Sequence, residues 1–321
     1  MIDEILSKKE FQERPPILVD IGASGGLHQD WKRIARYSIC VAFEPDDREM
    51  STFQRQGSKF KRFYLFNTVA RDHQADSVDF YLTKSPFCSS LLEPDLRSLE
   101  DWAFASFFEV EKKVKVKART LPSVLDELKL KSVDWFKTDS QGIDVRLFQT
   151  LGDRTIARVL AADFEPGIID AYKGEDKLFA LMAFMNDRPF WMSDMRVEGT
   201  QRLRKELVER EFGGTYHRYM SYLLKPSPCW AEVSYLNTLE NSTLLGVREF
   251  LLTWVFATIR GQHGFALDVA QRGYDQWKDP TFGRLERHSA ACLKRALWSV
   301  PLQLGQKVLN KILARVRGGY A

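Results

Sequence analysis

Short, unbroken apolar runs, each stopped by glycines or by an acid, punctuate the first two-thirds of the chain. Ile17-Leu18-Val19-Asp20-Ile21 is followed at once by glycines, and Ser38–Phe43 repeats the pattern before Glu44-Pro45. Runs of this kind are expected of strands buried on both faces of a parallel sheet. Trp31–Tyr37 leaves room for a helix between them, so the chain opens as strand, glycine turn, helix, strand. Further strands are predicted at Phe63–Phe66, Val78–Leu82, Val114–Lys117, Val133–Lys137, Val159–Phe164, Phe190–Met192 and Tyr219–Leu224. Helices are predicted at Leu121–Leu128, with Thr120 as N-cap and Pro122 in the first turn, at Asp144–Leu151 and at Leu178–Met185. Strands and helices alternating in this way specify a doubly wound α/β sheet.

The pattern changes after Lys225-Pro226-Ser227-Pro228. Beyond that punctuation Thr243–Arg260, Gly264–Trp277 and Arg284–Trp298 carry helical spacing and few strand signals. The expected organisation is an α/β domain over 1–228 and a helical, basic C-terminal extension over 229–321. A length of 321 residues accommodates both.

Composition narrows the function. The chain has 44% hydrophobic and 28% charged residues with a net charge of +4, which is ordinary globular composition. Basic residues are neither dense nor clustered enough for a dedicated nucleic-acid binder, so no nucleic-acid partner is expected. No basic segment leads into an apolar one at the N-terminus, and the apolar stretch Phe250–Ile259 is too short to span a bilayer. Cys40, Cys88, Cys229 and Cys292 form no Cys-x-x-Cys pair, which argues against a zinc ribbon and suits a reducing cytoplasm.

The candidate chemistry sits at the ends of predicted strands. In Asp20-Ile-Gly22-Ala-Ser24-Gly25-Gly26 the glycines let backbone approach a ligand, and the helix that follows offers free N–H groups. The spacing is Gly-x-x-Gly-Gly, not the Gly-x-Gly-x-x-Gly of dinucleotide binding. Glu44 stands about twenty residues on, at the end of the second strand, where an acid accepts both ribose hydroxyls. Lys137-Thr-Asp139-Ser-Gln141-Gly142-Ile-Asp144 ends a later strand at the same sheet edge. There Asp139 is a candidate base or cofactor contact, and Gln141 and Gly142 are pocket-shaping residues. Asp163 and Glu165 follow the next strand, and the acids together permit a Mg²⁺ site, with solvated loop acids the favoured alternative. His28 and His217 are the two histidines placed to face an acceptor, and no histidines or cysteines carry metal-ligand spacing.

Four blocks taken together resemble the FkbM methyltransferase family: Leu18-Val-Asp-Ile-Gly-Ala-Ser-Gly-Gly26, Ala42-Phe-Glu-Pro45, Arg119-Thr-Leu121 and Asp134-Trp-Phe-Lys-Thr-Asp-Ser-Gln-Gly-Ile-Asp144. Their order and spacing match over about residues 15–170. The resemblance implies a class I, Rossmann-like methyltransferase with a seven-stranded sheet, the last strand antiparallel, and S-adenosylmethionine as cofactor. It implies that Asp20, Gly22 and Gly25, with Ser24 between them, line the methionine side and that Glu44 holds the ribose. It also implies that Asn67 and Asp139 lie near the adenosine or the sulfonium, and that Phe87-Cys-Ser-Ser-Leu91 covers the cofactor. The departures are Asp144 where the family usually carries Glu, and Thr138 or Ser140 where it carries an aliphatic residue.

Family resemblance further implies O-methylation of a sugar, a glycan or a glycosylated or polyketide natural product. Methyl transfer is an in-line displacement that needs positioning and a base for the acceptor hydroxyl. Aromatics at Trp102–Phe108 and Phe190-Trp191 are candidates to stack on a sugar, with core packing the favoured alternative. Two other readings stand beside this one. An NAD-dependent dehydrogenase is disfavoured by the glycine spacing. A non-catalytic cofactor-binding scaffold would dock partners through its tail.

That tail holds no acid after Glu286 but Lys294, Arg295, Lys307, Lys311, Arg315 and Arg317. Lys307, Lys311 and Arg315 share a helical stripe, and Leu302, Leu309, Ile312 and Val316 make an apolar face. Residues 284–317 are therefore a candidate surface for a protein partner or for the inner face of a membrane, beside simple packing on the protein's own core.

Overall fold

The computed structural model describes residues 1–22, 28–46, 48, 57–216, 224–240, 245–298, 300 and 305. Ser24, Gly25, His217 and nearly all of the basic tail beyond Trp298 lie outside them. Among the described residues there are ten strands: β1 (Ile17–Ile21), β2 (Ile39–Phe43), β3 (Arg62–Phe66), β4 (Val69–Arg71), β5 (Ser77–Thr83), β6 (Val110–Thr120), β7 (Trp135–Thr138), β8 (Ala161–Phe164), β9 (Phe190–Thr200) and β10 (Ser227–Asn237).

Seven of them form one sheet in the order β3-β2-β1-β7-β8-β10-β9. The pairs β3–β2, β2–β1, β1–β7 and β7–β8 are parallel, and β10 runs antiparallel to both of its neighbours. This is a mostly parallel, Rossmann-like architecture, and every residue of β1 and β2 is buried, as continuous apolar strands require. Phe136, Phe148 and Phe164 form an aromatic cluster in the core, with Phe136 and Phe148 rings 4.9 Å apart. Strand order reverses between β1 and β7, and in an open α/β sheet the crevice beyond the carboxyl ends at such a switch point is where ligands bind.

The other three strands form a separate sheet in the order β4-β6-β5. All three come from the chain between β3 and β7, so the strands expected at Val78–Leu82 and Val114–Lys117 pair with each other and not with the main sheet. The helix after β6 is Leu121–Glu127, with Thr120 Oγ1 accepting from Ser123 N and Pro122 in its first turn, as its sequence specifies.

At its C-terminal side the fold corrects the sequence reading. The last sheet strand is β10, Ser227–Asn237, beyond the expected domain boundary at 228, and the strand predicted at Tyr219–Leu224 lies almost wholly outside the described residues. The chain divides instead at Arg248, into Leu6–Arg248 and a second compact unit of Met1–Ile5 with Glu249–Ala321. Buried and partly buried positions alternate along β10, and the Pro/Ser run is a strand entrance and not a linker.

Arg248 explains where the first unit closes. Its guanidinium forms a bidentate pair with Asp134, 2.8 Å and 2.9 Å, and also donates to the carbonyls of Arg14 and Pro15. Ile17 N donates to the same carboxylate at 2.8 Å. One buried ion pair thus fixes the starts of β1 and β7, at the end of the sheet away from the switch-point crevice.

In the second unit the helix Val247–Ile259, which begins in the first, is followed by His263–Trp277 and Pro280–Leu297. Asp279 caps the last of these through Thr281 N, and Trp277 stacks on Phe282 with ring centroids 5.7 Å apart. Gly273 permits that packing, since a Cβ there would come within 2.4 Å of the Phe282 ring. Among the described residues no helix is long and apolar enough to cross a membrane.

Candidate active site

β1 exits into Gly22, which has φ of 72°, and a Cβ on it would stand 1.9 Å from the Asp139 carbonyl oxygen. Only glycine permits the loops after β1 and β7 to run this close. Asp139 N donates to Ile21 O at 2.8 Å, and Gly22 N donates to Phe43 O at 3.2 Å, so the ends of β1, β2 and β7 are laced together.

Beneath these loops Lys137 Nζ donates to Asp20 Oδ1 at 2.8 Å, with Asp20 only 1% exposed. Burial works against the ammonium, but Asp20, Asp139 and Glu165 outweigh it and hold the Lys137 pKa above the ordinary lysine value. Asp20 is thus a buried counter-ion that sets the floor of the site and does not itself line the crevice.

Two clefts open above that floor. The first, about 520 Å³ counting the part open to solvent, is lined by the acids Glu44, Asp46 and Asp139, by Gly22 and Gln141, and by apolar Phe43, Val69, Ala70, Phe80 and Leu91. Glu44 is buried and accepts from Asp46 N at 2.9 Å. Asp46 in turn binds Arg48, whose Nη2 approaches Asp46 Oδ2 to 2.6 Å and Ser89 Oγ to 3.2 Å. This staple ties the loop after β2 to the Phe87–Leu91 segment, and Ser89 and Leu91 accordingly form a wall of the cleft. Asn67 does not: it is exposed in the turn between β3 and β4, and Val69 and Ala70 supply the lining there.

The second cleft, about 930 Å³ on the same measure, is lined by Phe87, Phe104, Phe107, Phe108, Tyr172 and Trp230, with Gln141, Glu165 and Glu175 among its polar groups. Phe104 stacks on Trp230 at 6.2 Å and meets Phe108 edge-on at 5.2 Å. Part of the Trp102–Phe108 cluster therefore faces a cavity, whereas Trp102 and Phe190 are buried. Phe87 and Gln141 line both clefts.

Gln141 occupies the seam in a left-handed conformation, φ 55°. Such backbone persists only where its surroundings over-determine it. Ser90 Oγ donates to its carbonyl at 2.8 Å, Tyr172 Oη donates to Oε1 at 2.8 Å, and its own Nε2 donates to Asp139 Oδ1. Burial, with help from Asp144 and against the pull of Lys137, pushes the Asp139 carboxyl up to about 6. Burial and the charges of Asp139, Asp144 and Glu232 push Glu165 further, to about 9.

Asp144 is fully engaged by its own strand end and the next. Its carboxylate accepts from Thr138 Oγ1 at 3.0 Å, Ser140 N at 2.9 Å, Ser140 Oγ and Glu165 N at 3.0 Å. The hydroxyls of Thr138 and Ser140 thus help to satisfy this buried acid. It braces the ends of β7 and β8 and lines neither cleft. Asp163 is likewise engaged, by Trp135 Nε1 at 2.6 Å and Ser234 Oγ at 2.8 Å, and so does not join Glu165 at the site. Among the described residues no group of three or more His, Cys, Asp or Glu is arranged to hold a metal ion. His28 caps the short helix Gln29–Arg33, accepting from Asp30 N at 3.3 Å and packing on Trp31 and Trp135, which accounts for it without an acceptor.

The sequence profile of the methyltransferase FkbM domain matches residues 20–192, more than half of the chain. The chain belongs to the FkbM methyltransferase family. No curated protein and no solved structure matches it. The matched span of this FkbM methyltransferase runs from Asp20 into β9 and takes in the whole lining of the first cleft. Cys229 and Trp230 of the second cleft lie beyond it. Membership in a methyltransferase family sets aside the dehydrogenase reading.

Three parts of the site were not anticipated from sequence. They are the Asp46–Arg48–Ser89 staple, the Tyr172–Gln141–Asp139 chain and Trp230. Each depends on residues far apart in the chain, and only the acid-rich Glu44-Pro-Asp46-Asp-Arg48 run gave a local signal.

Proposed function

We propose that this methyltransferase holds S-adenosylmethionine in the first cleft and methylates a hydroxyl of a sugar, glycan or glycosylated small molecule in the second. The observation that carries this reading is the shared seam: Gln141, which with Phe87 lines both clefts, also holds the carboxylate of Asp139.

The residues of the first cleft suit the cofactor. A buried acid at the end of β2 is the group expected to accept ribose hydroxyls, and Phe43, Val69, Phe80 and Leu91 provide apolar walls for a purine. Gly22, where a Cβ has no room, keeps the backbone next to the ligand bare. When bound, S-adenosylmethionine supplies an electrophilic methyl group on a sulfonium.

The remaining work falls to side chains of this chain. Asp139 takes the proton of the acceptor hydroxyl while the new oxygen–carbon bond forms and the carbon–sulfur bond breaks. A carboxyl titrating near 6 is ionised at neutral pH and is a stronger base than an ordinary aspartate. Gln141 fixes the oxygen that acts, and the aromatic walls orient the acceptor and exclude water.

The test is a transfer assay with S-adenosylmethionine and a panel of glycosides, read by mass spectrometry. Gain of one methyl group, retained through alkaline hydrolysis and absent from Asp139→Asn, supports an ether product and the proposed base. A base-labile ester or an N-methylated product contradicts the O-directed reading.

A further inference from the structure

We propose that Glu165 is the acceptor's hydrogen-bonding contact in the second cleft, and that this cleft takes an uncharged, hydroxyl-bearing ring and turns anions away. The proposal rests on the methyltransferase reading above.

Glu165 ends β8, lines the aromatic cleft and is partly buried there. The other acids near it are committed. Glu175 accepts from Ala171 N at 2.6 Å, Tyr172 N at 3.1 Å and Lys177 Nζ at 2.7 Å. Asp139 is held by Gln141, Asp144 by its four donors, and Asp163 by Trp135 and Ser234. Among the described residues the Glu165 carboxyl makes no hydrogen bond or ion pair. A half-buried polar group left unbonded is costly unless a ligand or water completes it.

The cleft's charge decides what that ligand is. Among the described residues its lining contains no Lys, Arg or His, and Lys137, the cation that acts on Glu165, is already paired with Asp20. Asp139, Asp144 and Glu232 impose a negative field on the same carboxyl. A carboxylate or phosphate entering here would meet like charge without a counter-ion. A neutral ring avoids that cost and buries its apolar face against Phe104, Phe108 and Trp230, with Phe87 and Phe107 exposed at the rim. Burial, together with that field, keeps the proton on Glu165 to about 9, so at neutral pH the carboxyl both donates to a hydroxyl and accepts from one.

The experiment uses the full chain saturated with S-adenosylhomocysteine and titrates two probes by calorimetry, phenyl β-D-glucopyranoside and phenyl β-D-glucuronide. The glucoside is expected to bind at least about tenfold more tightly than the glucuronide. Glu165→Ala is expected to weaken the glucoside about tenfold. Glu165→Gln, which keeps a donor and an acceptor, should stay within about threefold of the wild type. Glucoside binding unchanged in Glu165→Ala, a glucuronide that binds as tightly, or no glucoside binding would each overturn the assignment while the methyltransferase reading stands. Failure of S-adenosylhomocysteine itself to bind the wild type would overturn both.

Discussion

The hydroxyl of Tyr172 donates to Oε1 of Gln141 at 2.8 Å, and through that amide the aromatic cleft is connected to Asp139 in the other cleft. Because Gln141 holds a left-handed backbone conformation, the orientation of its side chain depends on partners at both ends. Tyr172→Phe removes little volume and the one hydroxyl that Gln141 Oε1 shares with the Cys88 carbonyl, 2.9 Å away. Such a loss costs about 0.5–1.5 kcal/mol, so turnover of a glycoside acceptor should fall about three- to tenfold. S-adenosylhomocysteine affinity, by calorimetry, should be unchanged. An equal loss in cofactor affinity would show that the link supports the first cleft instead.

Gly22→Ala tests the close approach of the β1 and β7 loops. The new methyl group would sit at 1.9 Å from a backbone oxygen, and the residue would also be strained at φ 72°. The backbone strain alone is worth about 1–3 kcal/mol. The variant should lose measurable S-adenosylhomocysteine binding and show a lowered denaturant midpoint. Wild-type stability with intact binding would mean that the loops are free to separate.

Much of the fold and the cofactor side of the site is legible in the amino-acid sequence alone. Continuous apolar strands ending in Gly22, Glu44 and Asp139 are local features, and local features specify a doubly wound sheet with its ligand edge. What failed to read was non-local. Ser227–Asn237 alternates between buried and partly buried positions rather than forming a continuous apolar run, so the punctuation before it resembled a linker. Strands β5 and β6 carry ordinary strand patterns, and nothing in a pattern says which sheet a strand joins. Asp163 and Glu165 are two residues apart on one strand end, yet Asp163 is consumed by Trp135 and Ser234 from other strands. Likewise Trp230 becomes a wall of the aromatic cleft only because β10 inserts beside β8.

Glu165 also makes stability depend on pH. Its folded pKa of about 9 lies above the ordinary 4.5, so between those values the folded protein holds a proton that the unfolded chain has released. Stability conferred by that proton is complete at low pH and is lost as pH rises through the window. Glu165→Gln removes this dependence. Its thermal midpoint relative to wild type should therefore rise by several degrees between about pH 5 and about pH 9. A constant difference across that range would contradict the buried, acid-surrounded setting of the carboxyl.

Arg248 and Asp134 make a different kind of prediction. Both side chains are 3% exposed, and the pair joins the starts of β1 and β7. Arg248→Met leaves Asp134 buried without its counter-ion and should cost about 3–5 kcal/mol in urea unfolding. Adding Asp134→Leu should recover part of that loss, because the uncompensated charge is then gone. A single variant as stable as wild type would show that water reaches the carboxylate.

The most direct test of the central claim is calorimetric titration of the full chain with S-adenosylhomocysteine, in wild type and in Glu44→Ala. If Glu44 accepts the ribose hydroxyls in the first cleft, the wild type binds. Removal of a charge-assisted contact worth about 1.5–3 kcal/mol then weakens binding roughly ten- to a hundredfold. Binding that is absent from the wild type, or identical in Glu44→Ala, would contradict the assignment of that cleft to the cofactor.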